Sequence, residues 1–262
     1  MKYGFIGCGN MGGALARALA KTTKDILLSD YDVSKAITLA EEIGCRVGTN
    51  EEVVSRCDRV FVAVKPQMAQ AVLGALLPLF QTHTPLLISM AAGLTTDKIE
   101  TFAGGNLPVI RIMPNTPAGI GKGLIMYCKN KLVTDADVAD FVFDMRHAGT
   151  LDALDEKYID AGTSVSGCGP AFMYLFLEAL ADGGVACGLP RDKAMLYAAT
   201  TMAGAAEMVL QSGKHPGELK DAVCSPGGST IMGVKALEDH GLRSAAINAV
   251  MAAFEKNKEL GK

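Results

Sequence analysis

The chain has no C-x-x-C pair, no block of like charge and no segment that reads as a secretion signal. Its seven cysteines, Cys8, Cys45, Cys57, Cys128, Cys168, Cys187 and Cys224, are odd in number and widely spaced. That pattern argues against a disulfide framework and against a zinc site, and leaves reduced thiols with no metal. The net charge of −3 is interspersed along the chain, which excludes the basic footprint of a nucleic-acid binder and the charged face of a membrane-surface protein. The first apolar residues lack a basic leader and a cleavage site, and no apolar run reads as long enough to span a bilayer. A soluble cytoplasmic protein with a small-molecule partner is expected.

What is present suits a globular fold. With 262 residues, 49% hydrophobic and 20% charged, the chain is long enough for one large or two medium domains. Up to about residue 155, short β-rich runs (Tyr3–Ile6, Ile26–Ser29, Val60–Val64, Leu86–Ser89, Val109–Ile112) alternate with helical patterns such as Met11–Ala20, Val33–Ile43 and Ala69–Phe80. Leu124–Cys128 and Thr150–Asp152 could add strands. The alternation predicts an α/β domain over residues 1–155, with βαβ units on a parallel sheet. From Glu156 the strand signals fade, and Ala171–Cys187, Arg191–Leu210, Ser229–Glu238 and Ala245–Leu260 predict an all-α domain over 156–262. These helices are apolar on too many faces for a lone small bundle, so a second subunit is expected to cover part of them.

The first chemical motif is Gly7-Cys8-Gly9-Asn10-Met11-Gly12, directly after a strand and directly before a helix. In that context G-x-G-x-x-G is a Rossmann dinucleotide fingerprint: Gly7 makes the turn, Gly9 admits a pyrophosphate, and Gly12 lets helix and strand pack closely. The phosphates then meet free N–H groups at a helix N-terminus. The second strand ends at Asp30, where an acidic residue hydrogen-bonds the adenosine ribose and repels a 2′-phosphate, so NADH is expected over NADPH. Lys24, Lys35 or Arg46 could offset that charge, and Asp30 could instead serve a turn. Two more strand ends, Lys65-Pro66 and Met90-Ala91-Ala92-Gly93, face the same edge of an open sheet. A third, Arg111-Ile112-Met113-Pro114-Asn115-Thr116-Pro117, is stiffened by its prolines and offers amide and hydroxyl groups for orientation.

Near the far end lies Ser225-Pro226-Gly227-Gly228-Ser229-Thr230, set between helix-like segments. Two glycines free the backbone to turn, and Ser229-Thr230 open the next helix, so N–H groups and hydroxyls converge as a carboxylate requires. A plain helix cap by Ser225 or Ser229 has the same composition.

Taken together, Gly4-Phe5-Ile6-Gly7-Cys8-Gly9-Asn10-Met11-Gly12, Ala63-Val64-Lys65-Pro66, Met113-Pro114-Asn115-Thr116-Pro117 and Val223-Cys224-Ser225-Pro226-Gly227-Gly228-Ser229-Thr230, with Leu237-Glu238 downstream, resemble the pyrroline-5-carboxylate reductases. The resemblance covers nearly the whole chain, and the last segment is its most specific part. It implies NAD(P)H-dependent reduction of 1-pyrroline-5-carboxylate to L-proline, the last step of proline synthesis. It also implies a helical domain that interlocks two subunits, and a homodimer or a larger ring such as a decamer. By motif, cofactor-binding positions fall on Ile6, Gly7, Cys8, Gly9, Asn10, Met11, Gly12, Asp30, Asn50, Ala63, Val64, Lys65, Pro66, Ala91, Ala92 and Gly93. Substrate-binding positions fall on Val165, Ser166 and Gly167, near Cys168-Gly169-Pro170, and on Ser225, Gly228, Ser229 and Thr230. Two positions depart from the family pattern: Asp30 stands where many members carry a small hydroxyl residue, and Cys168 replaces a serine.

The chemistry implied is hydride transfer to C5 of a cyclic imine, for which the protein aligns two rings. A protonated imine is already electrophilic, so a strong acid is unnecessary. His83, His147, His215 and His240 fall in none of the motifs. Thr230 is the choice for the catalytic group near the ring nitrogen, acting by hydrogen bonding since a hydroxyl is a poor proton source. Two other readings stay open: a different imine or 2-hydroxy-acid oxidoreductase on the same fold, and a non-catalytic NAD(H)-sensing module.

Overall fold

A computed structural model describes residues 1–260 of the chain. Two compact units divide it, Met1–Cys168 together with the stretch from Ala253 onward, and Gly169–Ala252. The first unit begins β1 (Tyr3–Ile6), α1 (Asn10–Leu19), β2 (Ile26–Ser29), α2 (Val33–Ile43), β3 (Arg46–Val47), α3 (Asn50–Arg56) and β4 (Arg59–Val62). It continues through α4 (Pro66–Ala75), α5 (Leu77–Phe80), β5 (Leu86–Ser89), α6 (Thr96–Phe102), β6 (Val109–Met113) and β7 (Gly123–Lys129). It closes with α7 (Asp135–Met145), β8 (Gly149–Ala153) and α8 (Ile159–Ser166). The second unit holds α9 (Gly169–Ala186), α10 (Arg191–Ser212), α11 (Pro216–Ala222) and α12 (Ser229–Asp239), and α13 (Leu242–Leu260) runs out of it.

The sheet order is β3-β2-β1-β4-β5-β6-β7-β8. Strands β1, β2, β5 and β6 are buried along their whole length, as parallel strands covered on both faces must be. Phe5, Leu28 and Phe61 pack on one face with Leu15, Leu19 and Phe141. Val60, Val62 and Leu87 pack on the other with Val53, Leu73 and Ile99. Phe5 and Phe61 stack at 4.3 Å between ring centroids, which locks β1 to β4 where the strand order reverses.

The sheet departs from the all-parallel expectation at one seam, since β7 runs antiparallel to β6. The connection 114–122 is too short for a crossover and forms a 3-10 turn over Thr116–Ile120 instead. Elements without a sequence reading include β3, α3 and α7. Strand β3 is too short to show a period. The two helices each open on a capping box, Thr49 with Glu52 and Thr134 with Asp137, a legible signal that outweighs their weak periodicity.

Two charged side chains, Asp144 and Arg111, lie deep in this unit among the described residues. Arg111 on β6 is 2% exposed, and its guanidinium reaches Glu156 at 3.4 Å and Asp160 at 3.0 Å. Glu156 also accepts the Thr96 N–H at 2.7 Å and the Thr96 hydroxyl at 3.0 Å, so it ties the start of α6 to β6. Asn257 of α13 donates to the Ser164 hydroxyl oxygen at 3.1 Å. These contacts keep residues 156–168 with the sheet.

The expectation that no apolar stretch reaches membrane-spanning length needs correction. Glu156–Ala186 has the length and, at a mean hydropathy of 1.2, the composition of a span. The stretch is nevertheless broken after Ser166, and its second helix alone extends only about 27 Å at 1.5 Å per residue. The second unit's own core is small: Ala181 of α9 with Ala194 and Ala198 of α10. Tyr174, Leu175, Leu196, Leu210 and Met251 stand exposed. A hollow of about 740 Å³ is lined by Phe172, Phe176, Met202, Val209, Leu242 and Ala246 among others. So much apolar surface calls for cover.

Arg111→Met should lower unfolding stability in urea by roughly 3 kcal/mol, the lower end for removing one partner of a buried pair, because Glu156 and Asp160 keep access to water. An unchanged midpoint would show that the triad carries no net stability.

Candidate active site

Strand β1 delivers Gly7 to the point where the sheet order turns back on itself, the position at which open α/β sheets bind ligands. Gly7 has φ +108°, and a Cβ there would lie 2.5 Å from the Ala63 carbonyl oxygen. A Cβ on Gly12 would overlap the Gly7 carbonyl oxygen, so glycine is needed for α1 to sit on its strand. Gly9 differs: a Cβ there meets nothing within 4 Å. Its surroundings are open, as a cradle for a pyrophosphate would be, and no side chain caps α1, so its first-turn N–H groups stay available.

A cleft of about 600 Å³ opens beside this loop. It brings together Ile6, Gly7, Gly9, Asp30, Asn50, Ala63, Val64 and Lys65 from the motif set. Asp30 is held on two sides, accepting the Cys8 N–H at 2.6 Å and the Asp32 N–H at 2.8 Å. Asn50 accepts the Ser29 hydroxyl at 2.8 Å, which fixes the start of α3 against the end of β2. Lys65 precedes Pro66 at the head of α4. Cys8 is buried, and burial, with Asp30 adding to it, pushes its thiol up to about 12. At neutral pH that thiol stays protonated and unreactive.

Asn10 and Met11 form the first turn of α1, and Cys8, Asn10, Met11, Gly12 and Pro66 stand outside the lining of the cleft. Ala91, Ala92 and Gly93 follow β5, also outside it. Ala92 packs instead with Met113, Met126 and Ile159 in an apolar cluster beneath α8. Of the cations that could offset Asp30, Lys24 donates to the Ile43 carbonyl at 2.7 Å. Lys35 and Arg17 line a separate hollow of about 350 Å³ across the glycine loop, with Arg17 bound to Glu42 through two bonds of 2.6 and 2.7 Å.

The substrate candidates divide between the two units. Val165 is exposed, while the Ser166 hydroxyl donates to the Gly162 carbonyl at 3.0 Å. The Gly167 and Cys168 N–H groups both reach the Thr163 carbonyl, at 2.8 and 3.0 Å. In the second unit, Ser225 to Thr230 form a turn closed by the Gly228 N–H on the Ser225 carbonyl at 3.1 Å, with Gly227 at φ +68°. Gly228 is the N-cap of α12 and no side chain caps it. Neither Ser225 nor Ser229 takes the capping role, so the first-turn N–H groups have no side-chain cap, and Ser229 and Thr230 are exposed. The histidines do local work: His215 Nδ1 accepts the Gly217 N–H, and His240 Nδ1 meets the Ala236 carbonyl.

Residues 156–260 match the family described as pyrroline-5-carboxylate reductase dimerisation, and residues 2–93 match NADP oxidoreductase, coenzyme F420-dependent. A pyrroline-5-carboxylate reductase of Glycine max is 42% identical, with 98% of this chain and 95% of the relative covered. That of Escherichia coli K12 is 39% identical, with 100% and 98% covered. The chain belongs to the pyrroline-5-carboxylate reductases. The solved Plasmodium falciparum pyrroline carboxylate reductase, with NADP bound, superposes with a TM-score of 0.87 at 36% identity, over 100% of this chain and 98% of that one.

This pyrroline-5-carboxylate reductase has cleft residues that the motifs do not name, Tyr31, Val33, Glu51, Met68 and Val72 among them. Tyr31 is wholly exposed beside Asp30, and Met68 is exposed on α4. Their signal was position alone, since they follow a strand end or recur at helical spacing after Lys65, and apolar residues there read as ordinary packing.

The glycines separate fold from binding. Gly9→Ala should keep the wild-type Tm and lose at least tenfold in dinucleotide affinity by fluorescence titration, whereas Gly12→Ala should lower Tm because backbone must shift. Equal Tm losses in the two variants would refute the division.

Proposed function

We propose residue roles for the reduction of 1-pyrroline-5-carboxylate to L-proline, the reaction this pyrroline-5-carboxylate reductase carries out in proline biosynthesis. The observation that carries the reading is the end-to-end similarity to reductases of that name, together with an open glycine loop at the sheet's switch point. The residues from Ile6 to Gly12 with Ala63 to Pro66 hold the dinucleotide pyrophosphate, Asp30 and Asn50 face the adenosine ribose, and Ala91 to Gly93 border the nicotinamide. When bound, the reduced nicotinamide supplies a hydride to C5 of the imine. Ser225, Gly228, Ser229 and Thr230 take the carboxylate on the uncapped start of α12, and Val165 to Gly167 form a wall for the ring. Thr230 holds the ring nitrogen by a hydrogen bond. The nitrogen enters as a protonated iminium, C5 gains the hydride, and the C=N pair returns to nitrogen as the amine.

NADH is the preferred cofactor in this reading, and NADPH the poorer one. Asp30 and Glu51 both line the cleft, where Lys65 is the single cation among the described residues. A 2′-phosphate about 4 Å from a carboxylate costs on the order of 1 kcal/mol in water and several times that in a partly dry cleft. The partner is a second copy of the chain, in a homodimer or a larger ring such as a decamer, supported by the apolar hollow of the helical unit and by the dimerisation family it matches. The compartment is the cytoplasm.

Substrate-dependent NADH oxidation in a steady-state assay tests the reading, and a chain that oxidises NADH no faster with the imine present would sink it. Asp30→Asn keeps an acceptor for Cys8 while removing the charge, so kcat/KM with NADPH should rise about tenfold and with NADH change little. A wild-type preference for NADPH would overturn the role of Asp30. Thr230→Ala should reduce turnover without abolishing it, and unchanged kcat and kcat/KM would remove Thr230 from the site.

A further inference from the structure

The loop leaving β6 contains an asparagine whose side chain makes an uncommon choice. Asn115 is the N-cap of the 3-10 turn Thr116–Ile120, with an extended backbone at φ −125° and ψ 167°. An asparagine in that place ordinarily accepts an N–H from the turn it opens. Here the side chain makes no such bond. It reaches outward with both ends instead. Its Oδ1 accepts the Leu124 N–H at 2.9 Å, at the start of β7. Its Nδ2 donates to the Ser166 carbonyl at 3.0 Å, on the last residue of α8.

The Ser166 carbonyl is among those that a helix leaves without an internal partner at its C-terminus. The bond therefore supplies a missing donor, and it fixes where α8 ends. The amide accepts from Leu124 with one atom and donates to Ser166 with the other, which a carboxylate, having no donor, and an aliphatic side chain, having neither group, cannot do. Pro114 and Pro117 flank Asn115 and restrict the backbone that carries it. At its other end α8 is held by Arg111 on Asp160, so β6 and its exit loop grip the helix at both its first and last turns.

We propose that Asn115 is the positioning residue for the substrate wall Val165 to Gly167, acting through the Ser166 carbonyl. The proposal rests on the assignment of that segment to the substrate. Losing the bond lets the end of α8 drift and weakens hold on the imine while leaving the dinucleotide cleft, which Asn115 does not line, intact.

Steady-state kinetics of Asn115→Ala, Asn115→Asp and Val165→Glu, with Tm for each, test this. Asn115→Asp keeps the acceptor for Leu124 and sets an oxygen against the Ser166 carbonyl, so it isolates the second bond. Both Asn115 variants should raise KM for the imine about tenfold with KM for NADH within twofold of wild type, and Asn115→Asp should keep a Tm closer to wild type than Asn115→Ala. Val165 is 62% exposed, so Val165→Glu tolerates folding and reads the segment directly. If Val165→Glu raises the imine KM and the Asn115 variants do not, or if they raise both KM values in parallel, the positioning role falls alone. An unchanged imine KM in Val165→Glu removes the segment from the substrate site and takes the proposal with it.

Discussion

A guanidinium buried on the strand β6 must be neutralised where it stands, and the chain that neutralises it thereby has its course set. Arg111 draws Glu156 and Asp160 onto the sheet, and Glu156 in turn satisfies the first turn of α6. The segment that leaves the sheet after β8 therefore lies back over β7 before the helical unit begins. Its apolar side settles on Met113, Met126 and Cys128 through Ile159. The Gly162 backbone approaches the Met126 sulfur so closely that a Cβ would collide with it. Charge neutralisation and close packing thus agree on one position for α8, and Asn115 and Asn257 add bonds to it.

Sharing of a single carboxylate recurs on the dinucleotide side. Asp30 accepts the N–H of Cys8 inside the glycine loop, so the acidic end of β2 also steadies that loop. Its charge is then part of the fold. The Asp30 charge adds to burial in raising the Cys8 thiol, which keeps a cysteine in the middle of the glycine loop from acting as a nucleophile.

The helical unit follows a different economy. Its internal contacts are made by alanines, while its large side chains face outward. Small residues bring α9 and α10 close together and leave little apolar area inside, so most of the hydrophobic free energy available to these helices lies in surface left outside the unit's own core.

The sequence alone determined the dinucleotide fold, the place of the glycine loop, the acidic end of β2 and the open turn before α12, because each depends on local chemistry: backbone freedom, strand alternation and helix starts. It also carried the family, through motifs spread along the chain. Tertiary structure decided what depends on partners distant in sequence. The reversal of β7 follows from a connection too short to cross the sheet, and the attachment of residues 156–168 to the sheet follows from a buried arginine that reads in sequence as one more strand residue. Tyr31, Met68 and Asn115 likewise gain their meaning from what stands across from them, a cleft wall or a helix end, and no local pattern records that.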